Sequence, residues 1–176
     1  MPSNIEIKAR ASDLSRMRAV ASELATAPMV VLEQVDVFFH CSHGRLKLRL
    51  FPDETAELIQ YHRPDTQESK QSDYQIYLVD KPQEMRQLLA RSLGERVVVK
   101  KRRELFLVDQ TRIHLDQVEK LGDYMELEVV LRPGQSAAEG SLMAKELMTK
   151  LGVQQDDLVS CAYADLLLEK IGSSFE

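Results

Sequence analysis

Four segments of this chain alternate charged and aliphatic side chains with a period of two, and a β-strand is the regular backbone that sorts such a pattern onto opposite faces. Asn4-Ile5-Glu6-Ile7-Lys8 opens the chain in this way, and Gly44-Arg45-Leu46-Lys47-Leu48-Arg49-Leu50 sets three cations against leucines. Arg112-Ile113-His114-Leu115-Asp116 carries both signs of charge, and Glu126-Leu127-Glu128-Val129 carries carboxylates. The charged faces must meet water, a ligand or each other. The aliphatic faces need covering elements.

With 176 residues, 44% of them hydrophobic, the chain suffices for one domain with a substantial core. A net charge of -5 argues against a general nucleic-acid or anionic-membrane binder, which carries a basic surplus across its surface. Lys100-Lys101-Arg102-Arg103 is a local exception, but in a valine-rich strand it alternates sides, placing Lys101 and Arg103 inward and Lys100 and Arg102 outward. Two cysteines, Cys41 and Cys161, make no disulfide framework, and the polar N-terminus lacks a signal-peptide apolar region, so a reducing cytoplasm is the expectation. No apolar run reaches the ~18 residues of a membrane span.

Asp13 or Ser12 caps a predicted helix through Thr26, with Leu14, Met17, Val20, Ala21 and Leu24 at helical spacing. Strands follow at 34–40, 45–51, 56–63 and 74–79, with a polar loop over 64–72. A helix begins at Pro82 and stops at Gly94, strands follow at 96–108, 112–116 and 124–132, and Ser136-Ala137-Ala138-Glu139 is a capping box for a helix ending at Gly152. A last helix is predicted over 159–171. About eight strands and four helices result, with helices against the aliphatic side of a curved sheet. An open sheet solvates its charged side, whereas closure of roughly eight strands leaves room for side chains and one small ligand. Spacing leaves both open.

Several motifs, in order, resemble the CYTH superfamily, which includes class IV adenylyl cyclases, thiamine triphosphatases and inorganic triphosphatases. They are Glu6-x-Lys8, Gly44 to Arg49, Tyr61-His62-Arg63-Pro64-Asp65, Lys101-Arg102-Arg103, His114-Leu115-Asp116-Gln117-Val118, Leu121-Gly122-Asp123-Tyr124 and Glu126-Leu127-Glu128. The likeness is strongest to class IV cyclase-like proteins and spans nearly the whole chain as one domain. It implies an α+β fold built on a closed eight-stranded antiparallel β-barrel, the triphosphate tunnel, with helices outside and charged faces within. It also implies a homodimer. One position departs from the family signature Glu-x-Glu-x-Lys: its first glutamate is Asn4 here, which can ligate but carries no charge.

On that resemblance Lys8, Arg45, Lys47, Arg49, Arg63, Lys101, Arg103, Arg112 and His114 contact the substrate, because guanidinium forks pair bidentately with phosphate oxygens and lysine acts as a point charge. Glu6, Asp116, Glu126 and Glu128 supply hard oxygen ligands for Mg²⁺ or Mn²⁺. Lys8, crowded by other cations, is the expected proton acceptor through a lowered pKa. The implied substrate is ATP, tripolyphosphate or thiamine triphosphate, cleaved by water or cyclised by the ribose hydroxyl. Two other classes compete: a non-catalytic polyphosphate or nucleotide binder, motivated by Asn4, and an interaction domain with a solvated sheet. Lys70 and Ser72 either close a tunnel mouth or lie solvated, and Tyr163 caps the tunnel or fills the core. No His/Cys set has zinc spacing.

Overall fold

The computed structural model describes residues 3–62 and 70–173. These hold eight strands, β1 (Ser3–Arg10), β2 (Val30–Phe39), β3 (Arg45–Leu50), β4 (Ala56–His62), β5 (Lys70–Val79), β6 (Glu95–Val108), β7 (Thr111–Val118) and β8 (Gly122–Val130). Four helices accompany them: α1 (Leu14–Leu24), α2 (Pro82–Leu93), α3 (Ala137–Leu151) and α4 (Tyr163–Ser173). The fold is α+β. All neighbouring strands are antiparallel, in the order β1-β5-β4-β3-β2-β6-β7-β8, and β8 returns to pair with β1. In that pairing Lys8 stands opposite Glu126 and Glu6 opposite Glu128.

The sheet wraps its charged face inward and gives its aliphatic face to the helices. Ile5, Ile7, Leu115, Leu127 and Val129 pack against Met17 and Ala21 of α1 and Ala144, Leu147 and Leu151 of α3. Each such buried Leu or Ile contributes about 1.5–3 kcal/mol relative to exposure. Gly140 permits this approach, since a Cβ there would lie 2.6 Å from Leu131 Cδ2 and 2.8 Å from Ile5 Cγ1. Met85 and Leu89 of α2 cover Val37, Phe39 and Leu48, while Ala164 and Leu167 of α4 pack with Val99, Val118 and Tyr124. Among the described residues no helix is long and apolar enough to cross a membrane.

Capping chemistry acts as the sequence indicates at α1 and α3. Asp13 accepts the Arg16 N–H at 3.0 Å, and Ser136 and Glu139 exchange the two bonds of a capping box. Several boundaries differ from the sequence expectation, and four of them have a plain cause. α1 stops at Leu24 because the Thr26 N–H and hydroxyl both bond the Leu107 carbonyl, drawing the chain onto β6. β2 starts at Val30, since its pairing with β6 extends back to Val30 opposite Leu105. β5 starts at Lys70 rather than Tyr74, because Lys70 to Asp73 pair with β1 although they lack apolar alternation. α4 starts at Tyr163 rather than Val159: Leu158 bridges Ala9, and the Val159 N–H bonds the Lys8 carbonyl.

Candidate functional site

The inward faces enclose a cavity of about 350 Å³, within the range of small-molecule sites. Alternation delivers its lining: Asn4, Glu6 and Lys8 from β1, Gln34 and Asp36 from β2, and Lys47 and Arg49 from β3. β6 adds Lys101 and Arg103, β7 adds Arg112 and His114, β8 adds Glu126 and Glu128, and the start of α4 adds Tyr163. The inward placement of Lys101 and Arg103 agrees with the alternation read from sequence, and Lys100 is exposed.

Three charge clusters organise the interior. Buried Asp36 takes a guanidinium fork from Arg49, both bonds 2.8 Å, and ion pairs from Lys47 at 3.2 Å and Lys101 at 3.4 Å. Burial pushes the Asp36 carboxyl upward, but Arg49, Lys101 and Lys47 outweigh it and hold it well below the ordinary range. Nothing in the sequence reading singled out Asp36. The only available signal was its position on the inward face of a strand beside Gln34 and Phe38.

Arg103 is the second centre. Its fork grips Asp116, with Nε 2.7 Å from Oδ1, and its Nη2 also reaches Glu126 Oε2 at 2.6 Å. The Tyr163 hydroxyl donates to Asp116 Oδ2 at 2.8 Å, so α4 braces the same carboxylate. Asp116 is fully buried, and its charge is committed to these two partners. Asp116, expected as a metal ligand, anchors Arg103 here and lies outside the group of donors that could share one ion among the described residues.

The third cluster contains His114, Glu126 and Glu128, which offer ligand atoms all within 4.8 Å of one another. His114 Nδ1 lies 3.8 Å from Glu126 Oε2 and 3.9 Å from Glu128 Oε1, with no hydrogen-bond partner among the described residues. Ligands about 2.0–2.2 Å from one ion stand at such mutual distances, so this donor set fits a divalent cation. Burial and nearby Arg103 hold the His114 pKa below its ordinary value, which favours the neutral, ligating imidazole. Burial raises both glutamates, but Lys8 and Arg103 at Glu126, and His114 and Arg112 at Glu128, keep them lowered and ionised. Glu6 lines the cavity opposite Glu128 in the β1–β8 register.

Lys8 sits differently from its sequence expectation. Its Nζ is 3.2 Å from Glu126 Oε1 and from the Cys161 carbonyl, and 3.9 Å from the Tyr163 ring centroid, so it meets an anion, a carbonyl and a π face. Two other lysines of the cavity have loosened protons: burial and Arg49 lower Lys47, and the larger change is at Lys101. Burial and Arg103 lower it to about 7, and Asp36 offsets them only in part. Arg112 donates to Glu128 at 2.8 Å. Arg45 does not line the cavity and is held by Asp165 of α4 at 2.9 Å. His62 ends β4 in an exposed position, Lys70 and Ser72 fall on β5, and Arg63 lies outside the described residues.

No curated protein matches the chain. Among solved structures, the PH1012 protein of Pyrococcus horikoshii OT3 superposes with a TM-score of 0.82 at 24% identity, covering 93% of this chain and 98% of its own. A conserved hypothetical protein of Pyrococcus furiosus gives 0.81 at 19% identity, over 93% and 99% of the two chains. A Hippeastrum protein described as having a dominant triphosphatase activity gives 0.65 at 12% identity, over 98% and 96%. Likenesses at these identities establish the shared fold. The family model described as the CYTH domain matches residues 3–163, and the chain belongs to that family.

Proposed function

We propose that this protein is a divalent-metal-dependent enzyme that binds a triphosphate inside a closed barrel, a triphosphate tunnel, and transfers or hydrolyses its phosphoryl groups. The observation that carries this reading is the charge balance of the cavity. Six lining cations, Lys8, Lys47, Arg49, Lys101, Arg103 and Arg112, face five lining carboxylates, Glu6, Asp36, Glu57, Glu126 and Glu128. A cavity so nearly neutral cannot accept the several negative charges of a triphosphate by its own cations alone. His114, Glu126 and Glu128 would hold a metal, Mg²⁺ or Mn²⁺ in this reading, which supplies positive charge and Lewis-acid polarisation of phosphoryl oxygens. Arg103 and Arg112, whose partners Glu126 and Glu128 would then be shared, are placed to turn their remaining N–H donors toward phosphate oxygens.

Arg49 and Lys47 add donors from the opposite wall, and together these groups would stabilise charge developing at the transferred phosphoryl. Lys101 is better suited than Lys8 to take a proton from the attacking hydroxyl or water, since Lys8 is tied to Glu126 while Lys101 sits at about 7. The free enzyme's kcat/KM is accordingly expected to rise with pH through an acid limb near 7. Lys101→Arg, which cannot lose its proton, should remove that limb and depress the rate; an unchanged profile refutes the assignment.

The deciding assay incubates the protein with ATP, tripolyphosphate and thiamine triphosphate, each with Mg²⁺ or Mn²⁺, and reads cyclic AMP, pyrophosphate and phosphate. Metal-dependent formation of any of these supports the enzymatic reading. Asn4 favours a second reading, binding without turnover, because it removes one carboxylate from the metal wall. Tight anion binding with no product would establish that one instead. Failure to bind any of the three would contradict both readings.

A further inference from the structure

The six lining cations do not stand in equal positions. Lys8, Arg103 and Arg112 pair with Glu126 and Glu128, members of the donor set that fits a cation, so an ion bound there shares those carboxylates. Lys47, Arg49 and Lys101 instead converge on Asp36. Register places it among them: Asp36 of β2 stands directly opposite Arg49 of β3 and Val99 of β6, with Lys47 and Lys101 two residues along on the same inward faces.

Three donors meet at one atom. Asp36 Oδ2 accepts from Arg49 Nη2 at 2.8 Å, Lys47 Nζ at 3.2 Å and Lys101 Nζ at 3.4 Å, while Oδ1 accepts from Arg49 Nε at 2.8 Å. A guanidinium fork with added point charges is also how a phosphate group is gripped. Asp36 belongs to no group that could share a metal ion among the described residues, so an ion held by His114, Glu126 and Glu128 does not draw it off its cations. Its backbone is paired to β3 on one side and β6 on the other, and its side chain is buried. The carboxylate cannot withdraw; the cations have to turn from it.

Resting on the triphosphate reading above, we propose that Asp36 is a built-in competitor of the ligand: it occupies the Arg49, Lys47 and Lys101 part of the cradle while the cavity is empty, and a phosphate group binds there only by taking those donors over. Metal on the other wall leaves this competition in place. Asp36 thereby sets how weakly the protein holds an anion, through the three cations and without touching the reacting atoms.

The test is a set of calorimetric Kd values for tripolyphosphate, taken on the full chain at saturating Mn²⁺, for the unaltered protein, Asp36→Asn and Glu57→Gln. Asp36→Asn keeps the shape, removes the competing charge and frees the fork, and is expected to bind at least about tenfold more tightly. Glu57 lines the same cavity opposite Arg49 in the β3–β4 register but makes no ion pair among the described residues. Glu57→Gln removes an equal charge without releasing a clasped donor, so its gain should stay within about threefold. A purely structural role for Asp36 would weaken binding in its variant. Binding by folded Asp36→Asn that is weaker than in the unaltered protein, unchanged, or improved no more than in Glu57→Gln overturns the proposal. Should circular dichroism show Asp36→Asn unfolded, the same criterion applies to Lys47→Met/Asp36→Asn against Lys47→Met, a background with one buried cation fewer to leave unpaired. Absence of binding in the unaltered protein and in every variant removes the triphosphate reading as well.

Discussion

Arg103→Met is expected to lower stability by about 3–5 kcal/mol, because it strips buried Asp116 of its ion-pair partner and leaves partly buried Glu126 with Lys8 alone. Arg103 is buried, forks onto Asp116 and bonds Glu126 at 2.6 Å. At roughly 2–4 °C per kcal/mol for a chain of this size, Tm should fall by about 6–20 °C. Part of the loss should return in Arg103→Met/Asp116→Asn, which removes the orphaned charge, and the double-variant cycle gives the coupling. The pH dependence has a definite sign. Asp116 and Glu126 have lowered pKa values in the folded protein, so they stabilise it above the unfolded carboxylate pKa and that stability is lost as pH falls through the folded values. Without Arg103 burial dominates, the folded values rise, and acid unfolding moves to higher pH. Denaturant unfolding followed by circular dichroism measures all of this; a loss under about 1 kcal/mol would show that Arg103 is not the keystone of the interior.

Glu128→Gln tests the metal wall instead of the fold. The amide keeps an oxygen for Arg112, whose side chain is partly exposed, so stability should change by less than about 1 kcal/mol. Removing the negative charge from a set of three ligands should raise the Kd for Mn²⁺, titrated calorimetrically without substrate, by at least about 100-fold. The metal-dependent kcat/KM should fall by a similar factor at fixed Mn²⁺. An unchanged Mn²⁺ Kd would remove His114, Glu126 and Glu128 as the ligand set, whatever the activity. A lowered kcat/KM with intact metal binding would assign Glu128 to the substrate.

The architecture was legible because the alternation in β1, β3, β7 and β8 is strict, and a strand cannot hide which residues share a face. The inward residues of those strands were therefore readable except Arg45, which Asp165 of α4 holds off the cavity wall, and so were the Ser136 capping box and the Pro82 helix start. Which charges pair was not readable. His114 and Asp116 lie two residues apart on one face of β7, and only the β6–β7 register, with Arg103 opposite Asp116, decides that Asp116 is clasped while His114 stays open. The same limit hid Asp36, whose importance comes from Arg49, Lys47 and Lys101 arriving from two other strands. It also hid the partner of Lys8, which meets Glu126 only when β8 returns to β1. The polar start of β5 escaped notice since backbone pairing with β1, and not side-chain burial, defines it. α4 was read four residues early because the apolar Val159 belongs to the segment bonded to β1.

The interior as a joint site for anion and metal is tested most directly by titrating the protein with tripolyphosphate in a calorimeter, once with saturating Mn²⁺ and once with chelator. The near balance of six lining cations against five carboxylates predicts one-to-one binding that is at least about 100-fold tighter with the metal present. Equal affinity in the two titrations, or no binding in either, would contradict it.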